Sequence, residues 1–251
     1  MNKSTKFHKI VILVPFRNVA TYISDCLESI LCQQYPYFEI HLLDDDSTDN
    51  SLELIPDDLK SVFKFKNTRR LGALGSLYEH LIKMKLNEED IVIILDGDDS
   101  LFGEYALQIV NLKYNSDILL TYGQYVDNYG CLGHCSPYSL EEFNSIRISP
   151  WKASHLKTFK FKLFQEYLLQ DPTGGHFRDS AGKYLMSTYD IALMIPLMEI
   201  AGFDKIRFIS NILYCYRLHS NNDHSTLEGR QLQKDIEEYI RTNLSPLKQM
   251  F

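Results

Sequence analysis

The sequence predicts an α/β fold in which a mostly parallel sheet is flanked by helices, and three observations carry that expectation. Short apolar runs of strand length alternate with amphipathic stretches of helix length through the first half of the chain. This rhythm joins parallel strands by right-handed crossovers. Several of the apolar runs end in clusters of carboxylate, basic and turn-forming residues. Such clusters then share one rim of the sheet, the carboxyl edge where open α/β sheets bind ligands.

Residues 10–15 (IVILVP) are the first expected strand, ending in Pro15-Phe16-Arg17-Asn18. Tyr22, Ile23, Cys26, Leu27, Ile30 and Leu31 share one face of a helix over 21–33, with Thr21 placed to cap it. Residues 38–43 form the second strand, followed by Asp44-Asp45-Asp46-Ser47-Thr48-Asp49, which is expected to start a short helix through Leu54. A third strand over 62–65, a helix over 71–84, a fourth strand over 91–95, a helix over 105–112 and a fifth strand over 118–121 continue the alternation. Beyond Tyr122 it breaks. Residues 123–150, with Gly123, Gly130, Gly133, Pro137 and Pro150, read as a loop or short hairpin, and a helix begins near Phe161. Residues 171–187 are a second polar loop, and 189–201 a strong helix stopped by Gly202. Residues 206–209 and 212–216 read as short strands, and a charged helix over 227–242 closes the chain.

A chain of 251 residues with 45% hydrophobic and 12% aromatic content holds a sizeable core, as one large α/β domain or one domain with an appendage. The net charge of −7 argues against a nucleic-acid partner held by general electrostatics. The apolar run 10–14 is too short for a signal-peptide core, and no stretch approaches the ~20 apolar residues of a membrane span. A soluble, cytoplasmic protein without a transmembrane segment is expected. Five cysteines (Cys26, Cys32, Cys131, Cys135 and Cys215) are an odd number and suit free thiols in a reducing compartment. Cys131, His134 and Cys135 have zinc-binding chemistry, but no second ligand pair stands at suitable spacing.

The run IVIILDGDDSLF (91–102) carries the most chemistry. It delivers Asp96, Asp98 and Asp99 to a strand end, where close-packed carboxylates repel one another unless a cation joins them. Gly97 lets the chain turn tightly and leaves room for a ligand. As an isolated motif the run also fits a solvated acidic turn. A second acidic cluster at Asp44–Asp46 on the same rim favours a site.

Four segments in order resemble glycosyltransferase family 2: IVILVPFRN, EIHLLDDDSTD, LDGDD, and STYDIALMIPLMEIAG followed by LYCYRLHSNNDHS. The resemblance implies a GT-A fold, here a Rossmann-like, mostly parallel sheet with an acceptor-side region towards the C-terminus. Residues 1–122 would bind the nucleotide-sugar, 123–225 would face the acceptor and complete the metal site, and 226–251 would form a helical tail. It implies a metal-dependent inverting enzyme that moves one sugar from a nucleotide-sugar, such as a UDP-sugar, to a hydroxyl. The acceptor (a glycan, a protein or a small molecule) is not readable. No QxxRW-like signature of a processive synthase is present.

Residue by residue, the resemblance assigns Pro15, Phe16 and Arg17 to the nucleotide loop, with Arg17 where many members carry an aromatic residue. A guanidinium plane can stack on a base as an aromatic ring does. Asp45 matches the carboxylate that accepts the uracil N3–H, and Arg70, with Arg69 as its alternative, a basic residue near base and phosphates. Asp96 would contact the ribose beside Gly97. Asp98 would ligate the metal, with Asp99 supporting the loop or ligating as well. His219 or His224 would complete the metal shell, with Asp223 also at hand; carboxylates and an imidazole suit Mn²⁺, or Mg²⁺. Asp190 matches the base that deprotonates the acceptor hydroxyl, although Tyr189 stands where the family often has Glu. Trp151 and His155 would shape the sugar or acceptor pocket. Two alternatives use the same residues: a haloacid-dehalogenase-type phosphatase built on Asp96 and Asp98, and a nucleotide-sugar-binding protein without catalysis.

Overall fold

The computed structural model describes residues 6–220, 222 and 225–251. Eight strands form one sheet: β1 (Ile10–Phe16), β2 (Phe38–Asp44), β3 (Val62–Lys66), β4 (Ile91–Ile94), β5 (Ser100–Leu101), β6 (Leu120–Asp127), β7 (Lys157–Lys160) and β8 (Ile206–Tyr216). Their spatial order is β3-β2-β1-β4-β7-β6-β8-β5. The first four strands are mutually parallel, as the alternation predicts. Ile10, Ile12 and Val14 of β1 pack into one core with helices α1 (Ile23–Leu31) and α3 (Ala106–Tyr114), while Val11 and Leu13 face the other with α2 (Gly72–Leu81). Burial on both faces explains why this strand is apolar without alternation. Helices α5 (Phe161–Gln170) and α6 (Tyr189–Ala201) share the α2 side, and Ile240 anchors α7 (Leu227–Thr242) there. Helix α4 (Leu140–Asn144) is a short capped turn in the segment after β6.

Four expectations differ from the structure. Thr21 does not cap α1: Tyr22 holds that position without a side-chain cap, and the carbonyl of Val19 takes the N–H groups of Tyr22 and Ile23 at 2.7 and 2.9 Å. The polar cluster after β2 forms turns rather than a helix. Its side chains serve another segment: Ser47 Oγ, Ser51 Oγ and Asp49 Oδ2 accept the N–H groups of Asn18, Val19 and Ala20 at 2.8–3.0 Å. Short polar side chains used in this way compete with the local helix. The two short strands expected over 206–209 and 212–216 are one continuous strand, β8, pairing parallel with β6 through an irregular register. The short hairpin expected as one alternative after Tyr122 is present, β6 running on to Asp127 and returning in an antiparallel bridge between Val126 and Leu132. Strand β7 was not foreseen. It inserts antiparallel between β4 and β6, and all four of its residues, including Lys157 and Lys160, are buried.

No helix among the described residues is long and apolar enough to cross a membrane. All five cysteines are free thiols. No group of three or more His, Cys, Asp and Glu side chains among the described residues is arranged to hold a metal ion, which leaves Cys131, His134 and Cys135 without zinc-site geometry.

Candidate active site

The carboxyl ends of β1, β2 and β4 open onto a cavity of about 960 Å³, whose wall includes Pro15, Phe16, Arg17, Asp45, Arg70, Asp96, Asp98, His155 and Asp190. The β4 end is tied to β1 by backbone bonds from Leu95 N to Leu13 O and Gly97 N to Pro15 O. Gly97 is required by close approach: a Cβ there would lie 2.5 Å from the Phe16 Cβ.

The first acidic cluster is a clamp. Asp45 Oδ1 accepts from Asn67 Nδ2, Leu71 N and Ser76 Oγ, and Oδ2 accepts from Gly72 N, all at 2.7–3.0 Å. This carboxylate fixes the start of α2, where Gly72 adopts φ +76°, a conformation costly for a residue with a Cβ. Asp44 closes the preceding turn by accepting from Ser47 N at 2.8 Å. Arg70 is exposed at the rim, and the buried Arg17 Nε has no hydrogen-bond partner among the described residues.

The second cluster is built differently. Antiparallel pairing of β5 with the end of β8 brings Tyr214, Arg217 and His219 over Asp96, Asp98 and Asp99. His219 Nε2 lies 2.9 Å from Asp98 Oδ2. Arg217 donates its backbone N–H to Asp99 Oδ1 and its Nε–H to the Asp98 carbonyl, at 2.7 and 3.0 Å. The Tyr214 hydroxyl lies 2.5 Å from Asp99 Oδ2 and 3.1 Å from Asp96 Oδ2, and the Tyr189 hydroxyl donates to Asp96 Oδ1. Burial and then the neighbouring Asp96 push the Asp98 carboxyl up, with the His219 contact opposing. Asp99 is pushed up further by burial and by Asp98 and Asp96. Like charges this crowded favour a cation among them.

The donor set fits a hard divalent ion: Asp98 supplies carboxylate oxygen and His219 imidazole nitrogen. Ions of this kind take one or two carboxylates and complete their shell with substrate phosphates and water. His224 and Asp223, the other candidates, lie outside the described residues.

Asp190, which also lines the cavity, sits in the first turn of α6, just after Thr188 at φ 58°. A β-branched residue held in the left-handed region is strained, and such strain gathers at functional sites. Trp151 does not line the cavity; its indole N–H donates to Asp190 Oδ2 at 2.9 Å. Burial raises the Asp190 carboxyl above the usual range, opposed by Lys157 and by the N–H groups of Ile191 and Trp151. His155 stacks on Tyr214 at 4.3 Å between centroids and on Tyr216 at 5.4 Å. Burial and then Lys157 hold its imidazole well below the ordinary range, so it is neutral near pH 7. Lys157, Tyr189 and Tyr214 are site residues that the sequence reading missed. Lys157 was hidden because KTFK reads as the polar lead-in to α5; the adjoining polar–apolar alternation was its only strand signal.

Residues 11–179 match the family model for glycosyl transferase family 2. Among curated proteins, Glycosyltransferase GlyG of Streptococcus pneumoniae is 24% identical over 94% of this chain and 79% of its own length. The poly(ribitol-phosphate) beta-glucosyltransferase of Bacillus spizizenii is 31% identical over 46% of this chain, which spans only 19% of that enzyme. Among solved structures, S. aureus TarS 1-349 in complex with UDP-GlcNAc superposes with a TM-score of 0.63 at 15% identity, covering 94% of this chain and 68% of that one. The mannosyltransferase PcManGT from Pyrobaculum calidifontis, in complex with GDP-Man and Mn²⁺, gives 0.55 at 17% identity, covering 94% and 70%. These likenesses are to GT-A folds.

Proposed function

The chain belongs to glycosyl transferase family 2 and is a glycosyltransferase, and from that premise we propose that it is a divalent-metal-dependent inverting enzyme that moves one sugar from a UDP-sugar to a hydroxyl acceptor. The observation that carries the reading is that Asp98, which contacts His219, and Asp190 line one cavity. The family assignment replaces the phosphatase alternative. The nucleotide-sugar side comprises residues 1–122 and the acceptor side 123–225, with 226–251 as the tail.

In this mechanism Asp45, Arg17 and Arg70 bind the nucleoside end of the donor. Asp45 Oδ2, with one protein bond made, keeps acceptor capacity for a base N–H. Asp96 takes the ribose hydroxyls. Asp98 and His219 would hold the divalent ion, which when bound offsets the charge that builds on the departing diphosphate. Asp190, oriented by Trp151, removes the proton of the acceptor hydroxyl as that oxygen attacks the anomeric carbon on the face opposite the leaving group. Its raised affinity for protons, from burial, makes it a stronger base than an exposed carboxylate. TarS binding UDP and UDP-GlcNAc supports a uridine donor.

The test is nucleoside-diphosphate release from a panel of UDP- and GDP-sugars with Mn²⁺. The wild type is expected to turn over a UDP-sugar, whereas Asp98→Ala and Asp190→Asn, both folded, do not. Unchanged turnover in both variants, or a preference for GDP-sugars, contradicts the reading at the corresponding point.

A further inference from the structure

A buried cation stands among the carboxylates of the site. Lys157 is the first residue of β7, opposite Ile94 of β4 and therefore beside the segment that begins the acidic loop. Its side chain is 0% exposed. Its Nζ lies 3.6 Å from Asp96 Oδ2, 4.6 Å from the centroid of the Tyr189 ring and 3.4 Å from His155 Nδ1. An ammonium is not buried at so little hydrogen-bonding return unless its charge is used.

We propose, resting on the glycosyltransferase reading above, that Lys157 is the positioning cation of this site: it pairs with Asp96, lies over the ring of Tyr189, the residue before Asp190, and lines the same cavity as both carboxylates. On the donor side it offsets Asp96, which otherwise adds its charge to Asp98 and Asp99 and to the incoming diphosphate. It also lies over the Tyr189 ring while the Tyr189 hydroxyl donates to Asp96, so β7, the acidic loop and the start of α6 meet at one contact. On the acceptor side its field favours the ionised, proton-accepting form of the neighbouring Asp190. The other groups whose charge or hydrogen bonds reach Asp190 come from several elements: Trp151, Asp96 after β4, Tyr125 of β6, Cys135, and Tyr189 and the Ile191 N–H on its own helix. Lys157 is the cation in that set.

The test reads Asp190 itself. Carboxyl-carbon NMR titrations are run on the full chain and on Lys157→Met, with Asp190→Asn assigning the signal. Loss of a nearby opposite charge is expected to move the Asp190 titration up by about one pH unit, and the acid limb of the turnover profile moves with it. Lys157→Arg is expected to return both towards the wild type. Lys157→Gln serves as the neutral variant if Lys157→Met does not fold. An Asp190 titration that is the same in wild type and neutral variant overturns the proposal, even if turnover falls. A wild type that turns over no nucleotide-sugar overturns the functional reading instead, and the carboxyl titration still decides the role of Lys157.

Discussion

The two acidic clusters on the rim of this sheet have almost the same composition and opposite construction. Asp45, at the end of β2, has its carboxylate enclosed by two backbone N–H groups, an amide and a hydroxyl. Asp98 and Asp99, after β4, face one another and Asp96, and burial drives their carboxyls up. In the first cluster four hydrogen bonds to Asp45 hold the α2 loop in place and leave Asp45 Oδ2 room for one more donor, while the buried Asp44 Oδ2 has no hydrogen-bond partner among the described residues. The second is left electrostatically incomplete, as a site for a cation and an anionic substrate must be. Carboxylates at strand ends therefore differ in whether donors or other carboxylates dominate their surroundings, which the sequence does not print.

Mutation separates the two. Asp45→Ala strips partners from Leu71 N, Gly72 N, Asn67 and Ser76 together, and each buried donor left unsatisfied costs ~1–3 kcal/mol. A loss of roughly 3 kcal/mol or more in denaturant unfolding is expected, together with lost nucleotide binding. A loss below about 1 kcal/mol would show that Asp45 is no clamp. Asp98→Asn removes a poorly solvated charge from a crowded site, so in metal-free buffer the folded state is expected to be unchanged or stabilised by up to about 1 kcal/mol, the common outcome when a functional residue is relaxed. A large destabilisation would erase the contrast.

Asp171 and His176 give a smaller test of the clamp principle away from the cavity. Burial favours the neutral form of Asp171, but the His176 imidazole at 2.8 Å and the N–H groups of His176 and Gly175 overcome it and hold the carboxyl well below the usual range. His176 is raised despite its burial, because Asp171 and the Ser245 carbonyl hold its ring protons. The Asp171 contribution is complete above the ordinary carboxylate range and is lost as pH falls through the depressed value. The His176 contribution is complete below ~6.5 and is lost as pH rises through its raised value. His176→Gln is therefore expected to destabilise more at pH 5.5 than at pH 8.5, read from paired thermal melts. An equal effect at both pH values would contradict the pairing.

Legibility followed the same divide. Strands β1 to β4, helix α6 and helix α7 were readable because apolar runs and helical periodicity report burial directly. The rim positions of Asp96 and Asp98 followed from a strand end, whereas Asp190 was named only through the family resemblance. Lys157 was not readable, because a buried lysine contradicts its own residue type and is tolerated only for carboxylates and a ring supplied by distant elements. The role of Trp151 was likewise hidden: its N–H partner lies 39 residues away. The turns after β2 defeated helix prediction because Ser47, Asp49 and Ser51 spend their side chains on the β1–α1 loop.

The most direct measurement is calorimetric titration of UDP into the wild type and into Asp98→Ala, each with and without Mn²⁺. An incomplete site centred on Asp98 predicts that Mn²⁺ tightens UDP binding at least about tenfold, some 1.4 kcal/mol, in the wild type and leaves the variant unaffected. Equal UDP affinity with and without the metal in the wild type, or an undiminished metal effect in Asp98→Ala, would contradict it.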